Sequence, residues 1–121
     1  MLLQVAIDDP NHLGVIPLVL EYVDVVEIGT PLLKTFGLSV VSLVRQRWGE
    51  VPILVDSKTV DVGAREAAHI FGAGASFMTV LVETSPATHA AVSRVAAEQG
   101  GLHLLAQGRI GEMVHKFSAH K

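Results

Sequence analysis

The stretch Ile53-Leu54-Val55-Asp56-Ser57-Lys58-Thr59-Val60-Asp61 joins an apolar run, typical of a β-strand, to charged residues at the point where that run stops. In parallel α/β proteins the carboxyl ends of strands face the loops that hold ligands, so charges here are positioned for chemistry. Asp56 and Lys58 are two residues apart and therefore point to the same side of an extended strand. They could share one pocket, or they could form a surface ion pair that contributes only ~0–1 kcal/mol.

Length and composition limit the classes of protein to consider. The chain has 121 residues, enough for one domain, and half of them are apolar. No apolar run approaches the ~20 residues of a membrane helix, and no secretory signal pattern is present. The absence of cysteine excludes disulfides and thiolate metal sites, and a net charge of −3 gives no reason to expect nucleic acid. We therefore expect a cytoplasmic protein that binds small molecules and protein partners, with no membrane contact.

Strand and helix patterns alternate along the chain. Apolar runs predict five strands, which begin near Leu2, Tyr22, Ile53, Phe77 and Leu102. Helical patterns between them cover part of 10–21, then 37–48, 64–71 and 85–99, the last with Ser85 as N-cap and Pro86 in the first turn. Such alternation with short connections predicts an α/β fold with a parallel sheet or barrel over residues 1–107.

The C-terminal segment has a different pattern. Ile110, Met113, Val114 and Phe117 recur at the i, i+3, i+4, i+7 spacing of an amphipathic helix. We therefore predict a C-terminal amphipathic helix over 108–121 that docks on the domain or on a partner subunit.

Acidic residues stand at the ends of three predicted strands: Asp8, Glu27 and Asp56. Adjacent parallel strands would bring them toward one hard cation such as Mg²⁺, which prefers oxygen ligands. Alternatively, such acids interact with the N-termini of the following helices. Lys58, between Asp56 and Asp61, would remain charged and could stabilise negative charge on a substrate oxygen. A Schiff-base role is the alternative, but it needs a desolvated lysine, and the flanking carboxylates favour the ammonium form.

Three segments of the chain carry a family resemblance: 3–8, 23–32 and 56–63. Their sequences are similar to the branch of the orotidine 5′-phosphate decarboxylase superfamily that contains 3-hexulose-6-phosphate synthase and 3-keto-L-gulonate-6-phosphate decarboxylase. The Asp-x-Lys-x-x-Asp pattern resembles the superfamily signature, and Val-Glu-Ile-Gly-Thr-Pro narrows it to this branch. The resemblance runs from Leu2 to about Ala106.

This resemblance implies a partial (β/α)8 TIM barrel with about five parallel strands and intervening helices. It also implies roles for individual residues. Glu27 and Asp56 correspond to ligands of Mg²⁺, Asp8 to the acid that contacts the substrate, and Lys58 to the lysine that supports an enediolate. Asp61 corresponds to an aspartate that reaches the neighbouring subunit's site in a homodimer.

The implied reaction is a magnesium-dependent aldol addition of formaldehyde to ribulose 5-phosphate, a sugar phosphate. The resemblance ends near Gln107, before the strands whose loops bind the substrate phosphate in the family. Two alternatives therefore remain open: a catalytically silent relative that acts as an interaction or structural protein, and a 3-keto-L-gulonate-6-phosphate decarboxylase-like enzyme.

Overall fold

The computed structural model describes residues 1–106 and 116–117. Strands and helices alternate along the first of these ranges, as the sequence predicts. The strands are β1 (Gln4–Ile7), β2 (Val25–Ile28), β3 (Ile53–Thr59), β4 (Phe77–Leu81), β5 (Leu102–Ala106) and β6 (Lys116–Phe117). A 3-10 helix over Pro10–Val15 leads into α1 (Ile16–Val19), and the other helices are α2 (Thr30–Phe36), α3 (Ser39–Trp48), α4 (Gly63–Gly72) and α5 (Pro86–Gln99).

The strands form one sheet in the order β1-β2-β3-β4-β5-β6. The first five are parallel to one another, and this confirms the predicted α/β class. One row of the register runs through Ala6, Glu27, Leu54, Phe77 and Leu102, so side chains in this row share a face. Because β1 to β5 point the same way, their carboxyl ends lie along one edge of the sheet.

The two faces of the sheet are covered differently. Alternate strand residues such as Ile7, Ile28, Val55 and Met78 pack with the helices in the main hydrophobic core. On the opposite face Ala6 is exposed, whereas Leu54 is buried. In a closed barrel this second face is the interior. Glu27, opposite Ala6 and Leu54, also lies on it.

Local sequence signals explain where several helices start. Ser85 Oγ accepts a hydrogen bond from Thr88 N at 3.1 Å, which is the predicted cap of α5. Pro17 lies in the first turn of α1, where a proline is tolerated, and the 3-10 helix precedes it. The short helix α2 was not predicted. It is separated from α3 by Gly37, whose φ of +65° is in the left-handed region.

The predicted C-terminal amphipathic helix, with its boundary at 107/108, lies mostly outside the described residues. Within it, Lys116–Phe117 form β6 instead of a helical turn, so the helix prediction is wrong at these two residues. They pair antiparallel with β5, the last of the parallel strands. An edge strand has unpaired backbone groups, and this pairing satisfies some of them. Within the described part of the chain, no helix is long and apolar enough to cross a membrane.

Candidate active site

Asp56 and Lys58 are in contact near the carboxyl end of β3. The Asp56 side chain is only 5% exposed and forms an ion pair with the Lys58 ammonium, whose side chain is 34% exposed. Asp56 Oδ1 accepts a hydrogen bond from Thr79 Oγ1 at 2.8 Å, and Asp56 Oδ2 accepts one from Thr30 Oγ1 at 3.0 Å. The buried carboxylate distinguishes this arrangement from an ordinary surface ion pair.

Lys58 reaches this position through an irregular backbone. Its φ of +47° is in the left-handed region, which is uncommon for a residue other than glycine. Between β3 and β4 the register passes from Val55 opposite Met78 to Thr59 opposite Val80, so β3 bulges at this point. Lys58 Nζ donates a hydrogen bond to Thr30 Oγ1 at 2.8 Å. Asp56 and Lys58 therefore share one side, as expected, but a bulge and not a regular strand brings them together.

Glu27 is the second buried acid on the same face of the sheet. It is 5% exposed, and Gln4 Nε2 donates a hydrogen bond to its Oε2 at 2.5 Å. Glu27 lies opposite Leu54 of the neighbouring strand β3, and Leu54 precedes Asp56 by two residues. Its carboxylate and that of Asp56 therefore belong to adjacent parallel strands and to one face.

Asp8 and Asp61 do not join these two acids in one cluster. Asp8 is exposed and lies over Gly29, where a methyl group would overlap its Oδ1. Asp61 is also exposed, and its Oδ1 accepts a hydrogen bond from Val62 N at 2.7 Å. In residues 1–106 and 116–117 no group of three or more histidine, aspartate or glutamate side chains is arranged to hold a metal ion. The expected convergence of three acids on one cation is therefore not observed.

The two remaining carboxylates still form a donor set that suits Mg²⁺. Proteins commonly bind this ion through one or two carboxylates, while water and substrate oxygens complete its octahedron. Asp56 has three hydrogen-bonding partners, but an ionised carboxylate offers about four lone-pair sites. The carboxylates of Glu27 and Asp56 therefore fit the ligand preference of Mg²⁺. The Lys58 ammonium, paired with Asp56 Oδ2, would compete with the ion for that oxygen.

Sequence reasoning missed three polar residues of this site: Gln4, Thr30 and Thr79. Gln4 binds Glu27, and the two threonine hydroxyls bind both Asp56 and Lys58. Thr79 had a detectable signal, since it is a polar residue inside the apolar run of β4. Thr30 had a weaker one, because it follows the strand that carries Glu27 by one loop residue.

Comparison with known proteins agrees with this architecture. The family model described as orotidine 5′-phosphate decarboxylase / HUMPS matches residues 1–111. The 3-hexulose-6-phosphate synthase of Mycobacterium gastri is 40% identical over 99 residues, which are 79% of this chain and 48% of the relative.

Two solved structures also match. The 3-hexulose-6-phosphate synthase from Salmonella typhimurium has a TM-score of 0.86 at 30% identity, over 93% of this chain and 55% of that one. The 3-keto-L-gulonate-6-phosphate decarboxylase from Vibrio cholerae has a TM-score of 0.86 at 33% identity, over 93% and 54%. The chain spans about half the length of the curated relatives it matches. Because the family model matches residues 1–111, this chain belongs to the orotidine 5′-phosphate decarboxylase / HUMPS family.

Proposed function

We propose that this chain carries the metal-binding and enediolate-stabilising part of a 3-hexulose-6-phosphate synthase site. The observation that carries the proposal is the buried Asp56 paired with the partly exposed Lys58 at the carboxyl end of β3. The names of the matched relatives, a hexulose 6-phosphate synthase and a gulonate 6-phosphate decarboxylase, indicate a sugar phosphate as the substrate class. For this chain the proposed substrates are ribulose 5-phosphate and formaldehyde.

The proposed reaction starts with removal of the C1 proton of ribulose 5-phosphate by a base, which leaves an enediolate across C1 and C2. C1 then forms a carbon–carbon bond to formaldehyde, and the formaldehyde oxygen takes up a proton. Negative charge develops on the substrate oxygens during the first step, and a fixed cation stabilises that charge. The Lys58 ammonium is held by Asp56 and Thr30 while a third of its side chain remains exposed. It is therefore fixed in place and still accessible to substrate.

Glu27 and Asp56 are the residues that would hold Mg²⁺, and the chemistry that the ion supplies when bound is polarisation of substrate oxygens. Burial suits both carboxylates to this role, because water screens their charge less there. Asp8, exposed beside Gly29, is proposed to contact the substrate. Asp61 is exposed on the loop after β3, and we propose that it reaches a neighbouring subunit in a cytoplasmic homodimer. A strictly monomeric mass in solution would contradict that last assignment.

A decarboxylase acting on 3-keto-L-gulonate 6-phosphate is the second candidate. The Vibrio cholerae decarboxylase matches as well in structure as the synthase from Salmonella typhimurium. Both reactions pass through an enediolate, so the Asp56 and Lys58 geometry serves either one. The two candidates differ in the bond that is made or broken, and an assay with each substrate separates them.

The test measures formaldehyde-dependent consumption of ribulose 5-phosphate in the presence of Mg²⁺. We expect Lys58→Ala to lower kcat by about 10²-fold or more, the usual effect of removing one group that stabilises developing charge. Lys34→Ala is the matched control, because Lys34 is an exposed lysine of α2 and its loss leaves the rate unchanged. A wild-type protein inactive on both substrates would contradict the proposal and support a catalytically silent relative.

Metal binding gives an independent readout. Mg²⁺ that binds only the folded protein raises its unfolding temperature in a concentration-dependent way. We expect this rise in the wild type and its loss in Glu27→Gln. An identical rise in the variant would contradict the assignment of Glu27.

A further inference from the structure

The hydroxyl group of Thr79 touches both members of the proposed active-site pair. Thr79 is fully buried in β4 and lies on the neighbouring strand to Asp56 and Lys58. Its Oγ1 donates a hydrogen bond to Asp56 Oδ1 at 2.8 Å and accepts one from the backbone N–H of Lys58, also at 2.8 Å. A hydroxyl has one donor and two acceptor sites, so one oxygen serves both partners.

The hydrogen bond from Lys58 N occurs where the backbone departs from a regular strand. Lys58 has φ of +47°, and β3 is bulged against β4 between Val55 and Thr59. A non-glycine residue keeps this conformation only when its surroundings hold it there. Thr79 Oγ1 accepts a hydrogen bond from the Lys58 amide at the bulge. Ser57, the residue before Lys58, donates a hydrogen bond from its Oγ to Thr79 O at 2.8 Å. Both contacts tie the bulge to one residue of β4.

The hydrogen bond to Asp56 orients the carboxylate. With Oδ1 held by Thr79, the other oxygen of Asp56 is directed toward Lys58 and Thr30. A β-branched side chain has few rotamers, and full burial limits them further, so Thr79 is a rigid anchor. Thr79 is completely inaccessible, and any effect it has on a substrate passes through its two partners.

We propose that Thr79 is a positioning residue. It fixes the left-handed backbone of Lys58 and the rotamer of Asp56, and thereby their orientation relative to each other. It does not touch the reacting atoms. The effect of Thr79 on catalysis rests on the proposed function, whereas the effect of Thr79 on the backbone of Lys58 does not depend on that function. The two parts can therefore be tested separately.

The first test is hydrogen exchange of the Lys58 amide by NMR. In the wild-type protein we expect this amide to be as protected as the amides inside β4. In Thr79→Val, which keeps the shape but removes the hydroxyl, we expect at least about a tenfold faster exchange of the Lys58 amide, because its hydrogen bond is lost. The exchange rates of the Met78 and Val80 amides remain unchanged. Thr79→Ser, which keeps the hydroxyl, retains the protection. An unprotected Lys58 amide in the wild type would overturn the proposal without any variant.

The second test uses activity. A displacement of about 1 Å can lower a rate by about 10²-fold, so we expect kcat to fall by that order in Thr79→Val, with a change in KM below about threefold. Thr79→Ser recovers most of the loss. Thr88→Val is the control, because Thr88 is a buried threonine of α5 outside the site. Equal kcat in Thr79→Val and Thr88→Val would overturn the positioning role. If the wild type has no lyase activity, the proposed function fails while the exchange test still decides the role of Thr79.

Discussion

Replacement of Asp56 by alanine removes a buried carboxylate and every interaction that this carboxylate makes with its partners. Asp56 accepts hydrogen bonds from Thr79 and Thr30 and forms an ion pair with Lys58. A hydrogen bond to a charged group contributes about 1.5–3 kcal/mol, and Thr79 provides one such bond. The single hydroxyl hydrogen of Thr30 is shared between Asp56 Oδ2 and the backbone O of Asp56, and alanine keeps that backbone oxygen, so Thr30 adds little to the loss. Once Asp56 is removed, the Lys58 side chain, already one-third exposed, can turn toward water, so the share of the ion pair is the ~0–1 kcal/mol of a surface pair. We expect Asp56→Ala to lower the free energy of unfolding by about 2–4 kcal/mol.

Urea unfolding in the absence of metal measures this loss. With a slope of about 2 kcal/mol per molar urea, the middle of the usual range, the unfolding midpoint falls by about 1–2 M while the slope itself stays constant. Asp61→Ala is the matched control, since Asp61 is exposed and, among residues 1–106 and 116–117, its side chain hydrogen-bonds to the neighbouring Val62 N alone. We expect a change of about 0.5 kcal/mol or less there. A loss below about 1 kcal/mol in Asp56→Ala, or equal losses in the two variants, would refute the view that Asp56 is the centre of a buried polar network.

Two further stability predictions follow from the helices. Gly63 and Gly72 stand at the two ends of α4, and a Cβ at Gly63 would lie 2.8 Å from Val92 Cγ2 and 3.0 Å from Thr88 O, whereas one at Gly72 meets nothing within 4 Å. Overpacking costs about 1–3 kcal/mol, and alanine gains at most about 1 kcal/mol of helix propensity over glycine. Both effects act at Gly63, so Gly63→Ala destabilises by about 1–2 kcal/mol. Only the gain in propensity acts at Gly72, so Gly72→Ala is neutral or stabilising. The same sign for both variants in thermal unfolding would contradict the packing of α4 on α5. Loss of the α5 cap in Ser85→Ala lowers stability by about 1 kcal/mol, and Ser85→Asp restores most of it; equal stability of Ser85→Ala and the wild type would show that the cap is not used.

The local elements of the fold were readable from the chain because they depend on near neighbours. The cap at Ser85 and the helix that follows it arise from contacts within one or two turns. The apolar runs of the strands likewise report burial directly. In contrast, α2 was missed because it is short and begins at Thr30-Pro31 directly after the strand loop, where a turn and a first helical turn have the same residue preferences.

The candidate site divides in the same way. Glu27, Asp56 and Lys58 were identified from their places at strand ends and from the family pattern. The threonine contacts join residues 21 to 28 positions apart, and such distances in sequence leave no local signal. Asp8 was expected beside the other acids, but its carboxylate lies over Gly29. Which strand-end acids converge depends on the loop that follows each strand.

The amino-acid sequence by itself determined the alternation of strands and helices, the parallel class of the sheet and the edge at which the charged residues meet, because hydrophobic period and capping act over a few residues. Only the tertiary structure decided how the pair at Asp56 and Lys58 is held. The bulge at Lys58 and the hydroxyls of Thr30 and Thr79 come together through the register of neighbouring strands and the packing of the β2–α2 connection. Register is a long-range property, since it is set when distant segments pair, and no short stretch of the chain encodes it alone.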